Sequence, residues 1–243
     1  MRLAVVVPAH DEAAELPGLL AALAAQTDRD FTLVVVDNAS TDDTAAIAAA
    51  AGARVVAEPA MGAGTAADTG FRHAIALGAT GLLRTDADCR PRPDWVATAR
   101  GLLAGGAEFV CGRSVPRRDE RPSALERHAY PAAVRLAALA GRWIQRDPAA
   151  LHPYVLVHGH NIALTADLYV RCGGAPRERL EDGAEDVTLL NRARRHTAAI
   201  RRAEHLVVES SLRRLRAWGA RRTLLWHWDR RWRPATAAQV HVR

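Results

Sequence analysis

Residues 82–89 read Leu82-Leu83-Arg84-Thr85-Asp86-Ala87-Asp88-Cys89, a short apolar segment that leads directly into two carboxylates. Side chains alternate along an extended chain, so Asp86 and Asp88 are predicted to point to the same side. Two like charges at a strand end repel each other, and a divalent cation with oxygen ligands relieves that repulsion. A solvated turn is the alternative, because Asp is frequent in turns. Taken alone, the pair favours a solvated turn, so the rest of the sequence has to show whether the other parts of a ligand-binding site are present.

Three β-rich runs precede this segment and alternate with helical patterns. They are Leu3–Val7, Phe31–Val36 and Arg54–Ala57, and continuous β-branched runs are typical of strands buried on both faces. Apolar residues at helical spacing predict helices over residues 13–26, 44–51 and 62–77. This β-α-β-α-β-α-β order with short connections predicts an α/β fold, with a doubly wound, mostly parallel sheet flanked by helices.

Polar clusters follow three of the predicted strands, at residues 8–12, 37–44 and 86–88. In a doubly wound sheet, ligands bind beyond the carboxyl ends of the strands. The three clusters are therefore predicted to meet in one crevice. That convergence favours a ligand-binding interpretation of the two aspartates over a solvated turn.

The second half of the chain has shorter and less regular patterns. Strands are predicted at residues 108–112 and 206–208, and a turn that enters a strand at residues 159–164. Helices are predicted at residues 94–104, 124–144, 165–172 and 186–196. The charged loop at residues 116–122 is predicted to be mobile. The sequence shows no internal repeat and no low-complexity linker, which favours one domain.

The composition is that of an ordinary soluble globular protein. The 243 residues are 49% hydrophobic and 25% charged, with a net charge of +6 that favours anionic partners without choosing among them. The three cysteines form no CxxC pair, which argues against a disulfide framework or structural zinc, fits a cytoplasmic location and leaves Cys89 as a packing residue. No uncharged apolar run reaches about 18 residues, so we expect no transmembrane helix.

Several motifs, taken in order, resemble one known family. Residues 5–12 resemble its opening strand with a P-x-x-x-E turn, residues 35–44 its D-x-S-x-D-x-T loop, residues 86–88 its metal-binding D-x-D, residues 159–163 its G-x-N-x-A strand, and residues 185–190 its E-D motif. On these motifs, residues 3–214 resemble the family 2 inverting glycosyltransferases of the GT-A fold. The chain departs from the family pattern at His10-Asp11, where Asn-Glu is usual, and at Asp68, which takes the place of an Asn.

The resemblance implies an enzyme that moves a sugar from a nucleotide-diphosphate sugar to an acceptor hydroxyl with inversion, assisted by Mg²⁺ or Mn²⁺. A UDP-, GDP- or dTDP-sugar is the expected donor. The resemblance also implies one GT-A domain over residues 1–214. Its nucleotide-sugar half is residues 1–112 and its acceptor and catalytic-base half is residues 113–214. Residues 215–243 form a tail rich in Arg and Trp.

Specific roles follow for the motif residues. Asp88 is the first choice for metal ligation, and Asp86 is expected to contact metal or ribose, since oxygen ligands suit Mg²⁺ and Mn²⁺. Asp37 follows the second strand, where an acid accepts from a ribose hydroxyl or a base N–H. The residues expected to contact the nucleotide sugar are Pro8, Ala9, Glu12, Asp37, Asp68, Asp86, Asn161 and Glu185.

An inverting transfer also needs a general base for the acceptor hydroxyl. Asp186 is predicted to be that base, with Asp182 as a rival in the same acidic stretch. Capping of the helix that begins at residue 186 is the structural alternative, because acids at a helix N-terminus are favoured by the macrodipole. His158 and His160 lie two residues apart and are either metal or phosphate ligands or, as such pairs more often are, structural.

Other functions stay open from sequence. A nucleotidyltransferase that makes a sugar nucleotide would need a Gly-rich first loop with a basic residue, and residues 8–20 offer only Gly18 and no Arg or Lys. A catalytically inactive nucleotide-sugar-binding protein is the other alternative, against which the intact acids argue. The acceptor, a glycan, lipid or small molecule, is expected to be shaped by residues 113–157. The tail is expected to pack as a helix or to touch the inner face of a membrane, and not to bind nucleic acid.

Overall fold

The computed structural model describes residues 1–129, 132, 139, 141–177, 185–213, 215–217 and 219. Its strands are β1 (Leu3–Ala9), β2 (Phe31–Asp37), β3 (Arg54–Ala57), β4 (Gly81–Arg84), β5 (Arg90–Pro91), β6 (Phe109–Pro116), β7 (Ile162–Thr165) and β8 (Ile200–Ser210). Its α-helices are α1 (Leu16–Ala24), α2 (Thr44–Ala50), α3 (Ala63–Ala76), α4 (Trp95–Ala104), α5 (Ala166–Arg171) and α6 (Glu185–Arg194). A π-helical turn spans Leu125–Ala129.

All eight strands belong to one mixed sheet in the order β3-β2-β1-β4-β7-β6-β8-β5. Strands β3, β2, β1 and β4 are parallel, as their alternation with helices predicts. Strand β7 runs antiparallel to both β4 and β6, while β6 and β8 are parallel to each other. The predicted α/β fold is therefore confirmed, and β4 and β6 end at the same edge of the sheet.

Helices cover both faces of this sheet, so β1 is buried except at Pro8, which is partly exposed. Val6 packs in the core under α3, α5 and α6, whereas Val5 and Val7 pack on the opposite side against α1 and α4. Gly70 allows α3 to lie close on the sheet, because a Cβ there would stand 2.4 Å from Val6 Cγ1 and 2.7 Å from Val36 Cγ2. Close packing of this kind fixes the strand ends that carry the polar loops.

Several boundaries differ from those predicted. Strands β6 and β8 extend well beyond residues 108–112 and 206–208, because they pair with each other across a bulge at Gly112/Arg113. The length of β8 was underestimated because polar residues interrupt its apolar ones, and only its continuous apolar run was predicted to be a strand. Helix α1 begins at Leu16, later than predicted, after a turn in which the Glu12 carbonyl accepts from two backbone N–H groups.

The N-termini of α5 and α4 differ in their capping. Thr165 caps α5 by accepting a hydrogen bond from the Leu168 N–H at 3.2 Å, whereas Asp94 precedes α4 without a side-chain capping bond. The helix predicted at residues 124–144 falls partly outside the described residues. Over the described ranges, no helix is long and apolar enough to cross a membrane.

Candidate functional site

The loops after β1 and β2 are joined by hydrogen bonds between backbone and side chains. The backbone N–H groups of Asp11 and Glu12 donate to Ser40 Oγ at 3.1 Å and Thr44 Oγ1 at 2.8 Å. In return, the Thr41 N–H donates to Asp11 Oδ1 at 2.6 Å. These two polar clusters therefore form one wall of a crevice, as the strand order predicts.

Pro8, Ala9 and Asp37 lie at the floor of this wall. Pro8 and Ala9 end β1, and Ala9 is paired with Asp37 at the end of β2. Asp37 Oδ1 accepts from the Ser40 N–H at 3.1 Å, which fixes the start of the polar loop. The neighbouring Asn38 is buried and donates to two carbonyl oxygens that follow β3.

The acidic pair lies on a turn after β4, whereas the prediction that Asp86 and Asp88 point to the same side assumed an extended chain. Strand β4 ends at Arg84, and the Cys89 N–H donates to the Asp86 carbonyl at 3.0 Å to close a turn. Because of this turn, Asp86 contacts Arg84 while Asp88 contacts Arg213. The Asp86 and Asp88 side chains are 35% and 18% exposed, so both reach the crevice.

Arg213 joins Asp88 to Glu12 across the crevice. Its Nε lies 3.1 Å from Asp88 Oδ2, and its two terminal nitrogens bind both carboxylate oxygens of Glu12. Burial raises the pKa of Glu12, Asp88 and Asp86 raise it further, and Arg213 lowers it, with a net increase. Burial lowers the pKa of Arg213, but Asp88 and Glu12 outweigh it. Glu12 and Asp88 therefore contact one guanidinium, and Asp86 adds negative charge nearby.

Arg84 links the acidic pair to the start of α6. Its side chain is 4% exposed, with Nε 3.3 Å from Asp86 Oδ1 and Nη2 3.3 Å from Glu185 Oε1. Burial lowers the pKa of Arg84, and the charges of Asp86, Glu185 and Asp186 raise it more than that. One buried cation therefore holds the D-x-D turn and the E-D motif side by side.

Asp186 lies at the N-terminal end of α6 with its carboxylate held on both oxygens. Oδ2 accepts from the Gly159 N–H at 3.1 Å, and Oδ1 accepts from the Val187 N–H at 2.8 Å. The residue is buried, with 8% of its surface exposed. Its rival as catalytic base, Asp182, lies outside the described residues.

Asp68 does not reach the crevice surface. The residue is 0% exposed, and its oxygens accept from Arg72 Nε at 2.8 and 3.0 Å, from the Tyr169 hydroxyl at 2.7 Å and from Arg177 Nη1 at 3.2 Å. These contacts tie α3 to α5. Both carboxylate oxygens of Asp68 therefore accept hydrogen bonds from protein groups.

Asn161 is likewise directed into the protein. It is 0% exposed, its Nδ2 donates to the carbonyls of Arg113 and Leu206 at 2.9 Å each, and its Oδ1 accepts from Trp95 Nε1 at 2.9 Å. An added Cβ on Gly112 would lie 2.3 Å from the Asn161 side chain, so that glycine makes room for it. The amide therefore joins β6, β8 and α4.

His158 and His160 stack on each other and make protein contacts. Their ring centroids are 5.4 Å apart with planes inclined by 24°. His160 Nε2 lies 2.9 Å from Ser114 Oγ, which in turn lies 2.8 Å from Ser210 Oγ. Cys89, beside the acidic pair, is buried as a packing residue, and burial raises the pKa of its thiol well above the usual value.

The acidic pair suits a divalent cation that also binds phosphate. Within the described ranges, no three His, Cys, Asp or Glu side chains are arranged as a complete metal site. Asp86 and Asp88 supply two carboxylates on the crevice surface, and both are close enough to Glu12 to add to the increase in its pKa that burial causes. Mg²⁺ typically takes one or two carboxylates and fills its shell with waters and substrate phosphates, which fits this donor set.

Three arginines that organise the site were not predicted from the sequence. The sequence could have indicated Arg84, because it is a lone charged residue within an apolar strand. Arg117 is buried and donates to Glu15 Oε2 at 2.5 Å and to the Asp88 carbonyl at 3.2 Å, which also fixes a loop predicted to be mobile. Arg213 sits in an Arg-rich stretch where composition distinguishes no single residue.

Comparison with known proteins agrees with these motifs. The model of the family "Glycosyl transferase family 2" matches residues 4–162, which is more than half of the chain. The chain belongs to glycosyl transferase family 2. Glycosyltransferases from Mycobacterium tuberculosis and Mycobacterium bovis, both named as uncharacterized, are 41% identical over 118 residues. That match covers 46% of this chain and 48% of each relative, so it spans about half the length of the curated relatives.

Solved structures share the GT-A fold. A mannosyltransferase from Pyrobaculum calidifontis, in complex with GDP-Man and Mn²⁺, has a TM-score of 0.66 at 23% identity, covering 99% of this chain and 68% of that one. Glucosyl-3-phosphoglycerate synthase from Mycobacterium tuberculosis, with Mn²⁺, UDP and glucosyl-3-phosphoglycerate, has a TM-score of 0.59 at 24% identity, covering 93% and 80%. At these identities the likeness establishes the fold alone.

Proposed function

We propose that this protein is an inverting, metal-dependent glycosyltransferase that moves a sugar from a nucleotide-diphosphate sugar to an acceptor hydroxyl. The observation that carries the proposal is the Arg84 bridge. It holds Asp86 of the acidic pair and Glu185, next to Asp186, against one buried guanidinium. A site for a diphosphate leaving group and a candidate base thus lie at one edge of the sheet.

The donor nucleotide lies against the loops after β1 and β2. Asp37 accepts from the base or the ribose, and Pro8, Ala9 and Glu12 form the opposite wall through their backbone groups. This assignment is supported by the fixed geometry of the two loops. It places the nucleotide-sugar half in residues 1–112 and the acceptor half in residues 113–214.

The diphosphate lies at the turn after β4, with Mg²⁺ or Mn²⁺. Asp88 is the direct metal ligand, and Asp86 contacts metal or ribose. A bound divalent cation neutralises the negative charge that develops on the leaving diphosphate. Arg213 and Arg84 add fixed positive charge beside these acids, and a charge that is already in place needs no reorganisation during the reaction.

Asp186 takes the proton from the acceptor hydroxyl in a single displacement. The Gly159 and Val187 N–H groups hold its carboxylate in one orientation at the start of α6. A hydroxyl that approaches from the crevice loses its proton to Asp186 as its oxygen bonds to the anomeric carbon, while the bond to the diphosphate breaks. Glu185 orients this arrangement through Arg84, whereas Asp68 and Asn161 act by positioning α3, β6 and β8.

A panel of UDP-, GDP- and dTDP-sugars tests this function. The protein is melted with each compound in the presence of Mn²⁺ or of EDTA, and release of free nucleotide diphosphate is measured. We expect at least one nucleotide sugar to raise Tm and to be hydrolysed slowly only with metal. Absence of both effects across the panel contradicts the proposal. Release of pyrophosphate from a nucleoside triphosphate and a sugar phosphate would instead indicate a nucleotidyltransferase.

A further inference from the structure

A cavity of about 590 Å³ lies beside the proposed active site. Its lining comes from the segments after β5 and at the end of β6 and from residues 122–132, and it includes His128 and the four arginines Arg92, Arg113, Arg118 and Arg127. No carboxylate is among the described residues that line it. The volume is within the range of about 300–1,000 Å³ that is usual for small-ligand sites.

The positive charge of this cavity is only partly neutralised. Arg118 lies 3.3 Å from Glu209, and Arg113 lies 3.9 Å from Glu204, a distance at the limit of an ion pair. Arg127 donates to the Pro122 carbonyl at 3.2 Å, a neutral acceptor. Among the described side chains, no acid lies within ion-pair distance of Arg92 or Arg127. A cavity of this kind favours an anionic ligand.

One side of the cavity adjoins the metal-binding turn. Pro116 and Arg118 line it, and Arg117 between them turns the other way and donates to the Asp88 carbonyl at 3.2 Å. Arg92, on another wall, follows Asp88 by only four residues. Residues 116–118 therefore separate the cavity from the turn proposed to hold the diphosphate.

Protein contacts connect the wall of the cavity to the proposed base. Arg113 and Val115 line the cavity, and the Oγ of Ser114 between them lies 2.9 Å from His160 Nε2. His160 directly follows Gly159, whose N–H donates to Asp186 at 3.1 Å. The strand that lines the cavity and the N–H group that holds Asp186 are therefore linked through Ser114 and His160.

We infer that this cavity binds a phosphate group on the acceptor. The inference rests on the proposed function, because it identifies the class of molecule that accepts the sugar. Arginine binds phosphate through two parallel hydrogen bonds, and several arginines without a carboxylate suit a dianion better than a neutral sugar. The phosphate group anchors the acceptor at Arg92 and Arg127, and a hydroxyl on the same molecule faces Asp186.

The test compares Arg92→Ala/Arg127→Ala with a matched double variant, Arg54→Ala/Arg201→Ala. Both remove two arginines, but Arg54 and Arg201 are exposed and lie outside the cavity. Glycerol 3-phosphate, with glycerol as the uncharged control, is titrated by calorimetry with and without Mn²⁺ and saturating UDP or GDP. A parallel arm measures sedimentation with vesicles of phosphatidylglycerol in phosphatidylcholine, which carry the phosphate on a lipid.

We expect wild type and the Arg54/Arg201 variant to bind a phosphate-bearing probe, and the Arg92/Arg127 variant to bind it at least about tenfold more weakly. The arm in which the loss occurs identifies a soluble or a lipid-borne acceptor. Equal affinity in all three proteins, or no binding in either arm, overturns the inference. The increase in Tm that nucleotide with Mn²⁺ causes is measured separately in the three proteins. Loss of that increase in all three indicates failure of the proposed function, whereas its retention without phosphate binding indicates failure of the phosphate site.

Discussion

The buried Arg84 guanidinium lies 3.3 Å from Glu185 Oε1, although the two residues are 101 positions apart in the chain. The same guanidinium contacts Asp86, two residues after it. Residues of the turn proposed to bind metal and of the helix that carries the proposed base are therefore held by one cation. This contact gives the site its rigidity, because a buried charge with two partners fixes both of them.

Arg84→Ala is expected to destabilise the fold strongly. It leaves Asp86 and Glu185 without their shared cation, and removal of one member of a buried ion pair typically costs about 3–5 kcal/mol. Chemical denaturation measures the free energy of unfolding. Arg54→Ala, at an exposed position on β3, is the matched control and should change stability by less than about 0.5 kcal/mol. Similar losses in the two variants would show that the bridge is not stabilising.

Asp88→Asn is expected to remove the metal-dependent part of nucleotide binding. An amide has no negative charge with which to hold Mg²⁺ or Mn²⁺, so the increase in Tm from nucleotide with metal should fall to its value in EDTA. Asp86→Asn should reduce the shift less. Asp94→Asn serves as the control, because Asp94 is exposed and makes no side-chain capping bond. A full metal-dependent shift in Asp88→Asn would rule out Asp88 as the ligand.

Glu12 predicts an unusual pH dependence. Burial raises its pKa above the ordinary glutamate value of 4.5, so between pH 4.5 and the raised pKa the folded state binds more protons than the unfolded state. Its contribution to stability is therefore complete below about pH 4.5 and is lost as pH rises through the raised pKa. The stability of wild type minus that of Glu12→Gln should be larger at pH 4.5 than at pH 7.5. A difference that grows with pH would contradict the raised pKa.

The cysteines are expected to be unreactive in the folded protein. Cys89, Cys111 and Cys172 are all buried, and burial raises the pKa of each thiol, to about 12 for Cys111. Because the thiolate is the reactive species, Ellman's reagent at pH 8 should react slowly with the native protein and rapidly with all three thiols in guanidinium chloride. Rapid reaction of one thiol under native conditions would show that its packing is looser than the structure indicates.

The parallel half of the fold was predictable, because strand, helix and turn patterns alternate there and local rules agree with the topology. The convergence of residues 8–12 and 37–44 followed from strand order alone. The turn at Asp86–Cys89 was one of two alternatives, because Asp is frequent in turns, whereas the prediction that both side chains point to one side assumed an extended chain. Strand β7 was placed correctly as an element, but its antiparallel direction depends on contacts with β4 and β6 that no local pattern contains.

The candidate site was predictable only where a residue belongs to an ordered set of motifs. Asp68 and Asn161 match motif positions, yet their side chains bind other parts of the protein, because their neighbours in space come from distant segments. Arg213 contacts Glu12 from 201 positions away. Long-range ion pairs of this kind have no signature in a sequence with 33 arginines and lysines, all of them Arg.

Asp186→Asn tests the central claim most directly. The amide keeps the size of the side chain but cannot take a proton, so nucleotide with Mn²⁺ should raise Tm as in wild type. Metal-dependent turnover of the donor, with water as the acceptor, should fall by roughly 10²- to 10⁴-fold. Asp167→Asn, at a surface position of α5 whose side chain is 74% exposed, should retain turnover. Unchanged turnover in Asp186→Asn would contradict the assignment of the catalytic base.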